Sequence, residues 1–315
     1  MITEQTEPDM TGKISVVDYL PFDQRKPDDQ YQQLLWNIWK NGEESESFHA
    51  EKSKSFMAPS PLRYNLRNGI PLGTERSMKQ IGMSAVAEIL EFAKGTTTQD
   101  ELVAGGVSPR FWGDFVTAEK CADFGLEAGD LGPGSYGGAF GHFPTAEGKE
   151  VNQFKNVIAQ IKRAPHLRTH FISPWIPQYC VSGENAQRKV VVAPCHGWIH
   201  IRVLNNELHL HMFQRSGDVP IGVPSNIFQY SMLTLALAYV LDMKASHYYH
   251  SFSDAHFYYN QAEAIAEIIK RTPTRFPTVY LSEDTPKDLF QIKPEHFIIE
   301  DYHPNPAIKG IPVAI

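Results

Sequence analysis

Cys195 stands in the run Ala193-Pro194-Cys195-His196-Gly197, directly after Lys189-Val190-Val191-Val192, and is one of only three cysteines in 315 residues. The β-branched stretch reads as a strand, and a thiol at a strand's end is both reachable and rigidly aimed, as a nucleophile must be. Its ordinary pKa of ~8.5 has to fall, or its charge be compensated, for attack at neutral pH. Arg215, in Gln214-Arg215-Ser216-Gly217-Asp218, is the candidate cation. Two further polar blocks follow, Gly222-Val223-Pro224-Ser225-Asn226 and Asp254-Ala255-His256-Phe257-Tyr258. A lone cysteine is more often a buried structural thiol. The neighbouring blocks weigh against that reading here.

These groups need elements to hold them. Met78, Ile81, Ala85, Ile89, Leu90 and Phe92 recur at helical spacing between Ser77 and Lys94, and Gly95 ends that helix. Glu88 lies among its apolar residues, where desolvation raises a carboxyl pKa and suits it to proton transfer. Tyr31, Leu34, Leu35, Ile38 and Trp39 predict an earlier helix, capped near Asp28 or Asp29 and closed by Gly42. Gly125 to Gly148 reads as a glycine-rich loop that approaches something closely. It lacks the Lys-Ser/Thr context of a phosphate-binding P-loop. Further helices are expected over Asn152–Arg163, Ile227–Leu241 and Gln261–Arg271. Trp198–Leu204 and Glu207–Gln214 form a hairpin pattern around Asn205-Asn206, with later strands near Thr278–Leu281 and Phe297–Glu300.

A formal net charge of −7 and pI near 6.0 argue against a nonspecific grip on nucleic acid, while leaving room for one small anion. Cysteines at 121, 180 and 195 cannot all pair and show no zinc spacing, so a reducing, cytoplasmic setting is expected. No secretory leader is read in the first residues, and the most apolar stretch, Ile227–Leu241, falls short of a membrane span. His209 and His211 share a strand face without a third placed ligand, so no metal site is expected. His247-Tyr248-Tyr249-His250 reads as packing. Residues 1–27 are polar and lack a sustained period, so they are expected to be an extension outside the core, with one catalytic domain over 28–315.

Taken together, the Pro-Cys-His, Gln-Arg-Ser-x-Asp, Gly222–Asn226 and Asp-Ala-His-Phe-Tyr blocks, with the ending Pro312-Val313-Ala314-Ile315, resemble the thymidylate synthase family from about Asp29 to Ile315. The resemblance implies an α/β (α+β) fold, with a bent mixed sheet flanked by helices and a homodimer joined through sheet faces. It also implies a cytosine- or uracil-type pyrimidine nucleoside monophosphate as substrate and 5,10-methylenetetrahydrofolate as cofactor. Cys195 would add to C6 of the ring and make C5 nucleophilic. Arg215 would serve both sulfur and phosphate, with Gln214 and Ser216 also holding nucleotide. Asn226 would read the N3 and O4 edge, and His256 and Tyr258 the sugar hydroxyl. Glu88 and Tyr136 match proton-transfer positions. Trp112, Asp218, Gly222 and Ile315 match positions around the folate, Asp218 also having a catalytic role, and Arg168 would reach the partner subunit's site. His196 takes a supporting place.

The chain departs from the pattern where phosphate is held. His49 replaces an arginine of the N-terminal loop, and Thr169 the second of an arginine pair beginning at Arg168. Lys52, Lys54 and His170 are the candidate replacements. Gly132-Pro133-Gly134-Ser135-Tyr136 carries an insertion, and Phe115 stands where a second tryptophan is common. The expected reaction is reductive methylation of deoxyuridylate. Hydroxymethylation of a uridylate or cytidylate, with water replacing hydride, is the alternative. An amide can in principle turn to face either base; relatives acting on deoxycytidylate tend to carry Asp at this position, so Asn226 favours uracil. A noncatalytic nucleotide- or RNA-binding relative would have no need of the thiol and the buried acid.

Overall fold

The helix Gly222–Val240 is apolar on nearly every side, and almost all of it is buried. Such a helix has to be surrounded by other elements. Its hydroxyls are satisfied internally: Ser231 Oγ donates to the Ile227 carbonyl and Thr234 Oγ1 to the Tyr230 carbonyl. It packs on one face of a seven-stranded mixed sheet and against the helix Lys79–Lys94. The computed structural model describes residues 10–46, 51–184 and 187–314.

The sheet runs in the order Glu43–Ser45, Ser53–Met57, Lys244–Tyr258, Glu207–Asp218, Trp198–Leu204 and Phe171–Ile172, with Leu62–Asn65 also pairing to the long Lys244–Tyr258 strand. Glu207–Asp218 and Lys244–Tyr258 are parallel, and the other pairs are antiparallel. Alternation puts Leu208, Leu210, Met212 and Gln214 on the buried face, beside Tyr248, His250 and Phe252. The opposite face is half-exposed and carries Trp198, Phe213, His200, His209 and His247. Asn205 and Asn206 both take positive φ, 53° and 61°, the geometry of a tight two-residue hairpin turn.

The expected helices are present as Gln30–Asn41, Lys79–Lys94, Gln153–Arg163, Gly222–Val240 and Ala262–Lys270. Gly95 closes the second in the left-handed conformation, with φ 107°. Three local expectations require correction. Lys189–Val192 is not a strand: its backbone pairs irregularly, Lys189 N–H with the Tyr179 carbonyl and Val191 N–H with that of Leu131. Burial of Val190 and Val191, rather than sheet pairing, accounts for the β-branched run. The glycine-rich region contains a short helix, Tyr136–Gly141, capped by Ser135. A Cβ on Gly137 would lie 1.8 Å from the Thr96 carbonyl oxygen, so this glycine serves close backbone packing.

The third correction concerns the N-terminal segment. Lys13–Ile14 pairs with Thr278–Ser282, Val16 and Val17 are buried, and Tyr19 Oη donates to the Val279 carbonyl at 2.8 Å. Arg25 Nη1 donates to the Phe276 carbonyl. The stretch from Lys13 to Arg25 therefore belongs to the core, while residues 1–9 lie outside the described residues. Val17→Ala should cost about 2 kcal/mol in urea unfolding, the transfer and cavity terms of two lost methyl groups. A detached extension would show no change.

Candidate active site

Arg215 holds the Cys195 segment. Its Nε donates to the Pro194 carbonyl at 2.8 Å, and Nη2 donates to the Ala193 carbonyl at 2.8 Å and to Cys195 Sγ at 3.4 Å. The Arg215 backbone N–H also donates to the Cys195 carbonyl. An irregular segment is thus fastened to the end of the Glu207–Asp218 strand by four hydrogen bonds from one residue. Burial pushes the Cys195 thiol above its ordinary value, and the Arg215 charge works in the opposite direction. The free protein holds a thiol whose ionised form has a cation already in place.

Tyr136 secures the same segment from the other side. Its hydroxyl accepts from the Cys195 N–H at 2.7 Å and the His196 N–H at 3.4 Å, and its ring stacks on His196 with centroids 4.4 Å apart. Burial keeps that phenol protonated, with a pKa well above 10.0. His196 Nδ1 lies 2.7 Å from Tyr230 Oη, and desolvation pushes its pKa down to about 3. His196 is therefore a neutral supporting ring and no base for Cys195.

Glu88 is 8% exposed and accepts from Trp112 Nε1 at 2.7 Å and Gln229 Nε2 at 2.8 Å. Desolvation outweighs both bonds and pushes its pKa up to about 7. Gln229 Nε2 donates also to the Ala85 carbonyl, so its Oε1 is the atom that accepts from Asn226 Nδ2. On the far side, Gln214 Nε2 donates to the Ser216 carbonyl and to Asn226 Oδ1. Asn226 is consequently held with a defined amide orientation, each end keeping one unused bonding position. Trp112 meets Tyr136 edge-on at 6.3 Å, which joins Glu88 to the Cys195 segment.

Asp218, His256 and Tyr258 lie at the adjoining strand ends, where His256 is the register partner of Asp218. His256 Nδ1–H donates to Asp254 Oδ2 at 2.9 Å, leaving Nε2 as an acceptor. Asp254 Oδ1 is buried with no hydrogen-bond partner among the described residues. Burial pushes the Asp218 pKa up to about 6. Gln261 Nε2 donates to its carboxylate and to the Pro312 carbonyl, drawing the C-terminal segment over it. Gly222 opens the core helix next to Asn226. Ser216 lies between Arg215 and this cluster in the strand.

Other expected residues are placed differently. Arg168 is exposed near the far edge strand, its carbonyl accepting from His200 Nε2, and no hydrogen bond among the described residues ties it to the cleft. His170 is fully buried against Gln160, and burial lowers its pKa, so it is not a phosphate donor. Lys54 Nζ is engaged by the Trp39 carbonyl, whereas Lys52 is exposed. His49 and Ile315 lie outside the described residues. Gln229 was visible in the sequence as a polar interruption of the core helix. Asp254 stood at the head of a motif block without an assigned role, and Tyr230 and Gln261 gave no comparable signal.

A thiol with its cation, a fixed amide and a neutral-range acid lie on neighbouring elements, linked through Tyr136, Trp112 and Gln229, and the family model described as thymidylate synthase matches residues 29–315. The chain belongs to the thymidylate synthase family. At the level of the family it is a one-carbon transferase that uses a folate cofactor and a nucleotide substrate. Among the described residues of this thymidylate synthase-family chain, no three His, Cys, Asp or Glu side chains are grouped to hold a metal, and no helix is long and apolar enough to cross a membrane.

The Glu88 shift has a consequence for stability. Its folded pKa of about 7 exceeds the ordinary 4.5, so the native state binds this proton more tightly than the unfolded chain. Its contribution is complete below pH 4.5 and is lost as pH rises through about 7. Urea unfolding across this range should show a fall in stability with pH that Glu88→Gln flattens.

Proposed function

We propose that the chain methylates deoxyuridylate to thymidylate, using 5,10-methylenetetrahydrofolate and a covalent Cys195 adduct. The observation that carries this reading is the Arg215–Cys195 contact at 3.4 Å beside an amide and acid joined through Gln229. Attack by sulfur forms the S–C6 bond, and the C5–C6 π pair becomes nucleophilic at C5. C5 then takes up the one-carbon unit and loses its proton, and departure of the thiolate restores the ring. Arg215 stabilises sulfur's charge at the start and end of this sequence. Glu88, with its pKa of about 7, can hand a proton toward the ring's exocyclic oxygen and retrieve it.

Asn226 reads the base edge, Gln214 fixes it, and Ser216 with Arg215 meets the phosphate. His256 accepts from the sugar hydroxyl, with Tyr258 beside it. The residues present fit a folate, because the half-buried Asp218 carboxylate is an acceptor of the kind needed by pterin N–H groups. Trp112, Asp218, Gly222 and Ile315 would hold it, and when bound it supplies the one-carbon unit and, for methylation, the hydride. Tyr136 holds the Cys195 backbone and keeps a phenolic proton available for transfer through ordered water.

The half-exposed sheet face, with Trp198 and Phe213, supports a homodimer in which Arg168 enters the partner subunit's site. Thiols at 121, 180 and 195 support a reducing, cytoplasmic location. Residues 28–315 form the catalytic domain, with Lys13–Arg25 packed into it. Phe115, edge-on to Trp112 at 6.3 Å, favours a second reading, because the altered aromatic wall could admit water and give a hydroxymethyl product.

Incubation with deoxyuridylate and methylenetetrahydrofolate should release tritium from C5 and give the mass of the methylated nucleotide. A hydroxymethyl mass would select the alternative, and no release under conditions that support a control enzyme would refute both. Cys195→Ser should reduce turnover at least about 10³-fold while the far-UV circular dichroism stays unchanged.

A further inference from the structure

His250 stands two hydrogen bonds from Asn226, beyond Gln214, in the polar series that holds that amide. It is fully buried, stacks on Phe252 with centroids 4.3 Å apart, and places Nε2 2.8 Å from Gln214 Oε1. Tyr248 Oη lies 3.0 Å from Nδ1 of the same ring. The protons in this sequence can be assigned. Gln214 uses its amide nitrogen on the Ser216 carbonyl and Asn226 Oδ1, so the atom facing His250 is an acceptor. His250 must then carry its proton on Nε2, and bare Nδ1 accepts from Tyr248 Oη. The Ser216 and Ala85 carbonyls, which can only accept, polarise the series from both sides.

We propose that His250, fixed in its Nε2–H tautomer by Gln214 Oε1, is a positioning residue that sets the base selectivity of the site by holding, together with the Ser216 carbonyl, the Gln214 amide and hence Asn226 in one orientation. Rotation of the Gln214 amide would set its NH2 group against the His250 N–H. With that rotation blocked, Asn226 keeps Nδ2 toward Gln229 and Glu88 and Oδ1 toward Gln214. The Glu88 end is rich in donors: an unused Asn226 N–H and a carboxyl that can carry a proton. An exocyclic oxo group fits there, and an exocyclic amine would meet like donors. The arrangement therefore selects uracil over cytosine, an inference that rests on the pyrimidine reading above.

The test has two readouts. Nitrogen-15 NMR of the wild-type protein should show His250 neutral and protonated at Nε2. The ratio of kcat/KM for deoxyuridylate to that for deoxycytidylate should fall about tenfold in His250→Leu and by a smaller factor in Tyr248→Phe. An Nδ1–H tautomer in the wild type, or a ratio within twofold of wild type in both variants, would overturn the proposal. If His250→Leu does not fold, Tyr248→Phe and the NMR spectrum decide. Failure of wild-type protein to bind either nucleotide would instead refute the pyrimidine reading, while the NMR spectrum would still test the hydrogen-bond chain itself.

Discussion

The hold of Arg215 on the segment before and around Cys195 is the constraint on which the rest of the structure depends. Residues 189–195 have no strand ladder of their own, so their geometry comes from groups that reach in. Arg215 supplies three side-chain bonds, and Tyr136 fixes the nearby N–H groups. The sheet thereby dictates the position of a thiol that lies outside it. Such an arrangement combines a rigid aim with partial exposure, two properties that a strand interior cannot offer together. The same cation that orders the backbone also works against the burial that disfavours the thiolate, so one side chain both places the sulfur and eases its ionisation.

A second constraint is the buried polar series through Trp112, Glu88, Gln229, Asn226, Gln214, His250 and Tyr248. Polar groups placed inside a core are costly unless their bonding is complete. Here every member is tied to its neighbours, Asn226 alone keeping a free position at each end of its amide, and backbone carbonyls at both sides set the direction. The core helix can tolerate Asn226 and Gln229 only because the Lys79–Lys94 helix and the sheet bring them partners. Desolvation then acts selectively. It moves Glu88 into the neutral range, where an acid can exchange protons, and leaves His196 and His250 uncharged.

Much of this was legible in the sequence where a local signal carried it. Glu88 stood out against its apolar neighbours, Asn205-Asn206 marked the hairpin, and the separated motif blocks lie next to one another, Cys195 against Arg215, Gln214 against Asn226 and Asp218 in register with His256. The long Lys244–Tyr258 strand was not legible, because His, Tyr and Ser occur on both its faces and erase the alternation that marks a half-buried strand. His250 was seen only as packing, and its bond to Gln214 was hidden with the strand. Lys189–Val192 misled for the opposite reason: Val190 and Val191 are buried as a strand's valines would be, but within irregular backbone. The packing of Val16 and Val17 depends on distant residues around Ala245 and Val279, which no local pattern announces.

The central claim is that Cys195 sulfur attacks a pyrimidine ring held by Asn226. A crystal structure with deoxyuridylate bound tests it most directly. The account predicts Sγ within about 3.5 Å of C6, or bonded to it, with Asn226 on the N3–O4 edge. A nucleotide seated with C6 turned away from sulfur, or a thiol screened from the ring by protein, would contradict it.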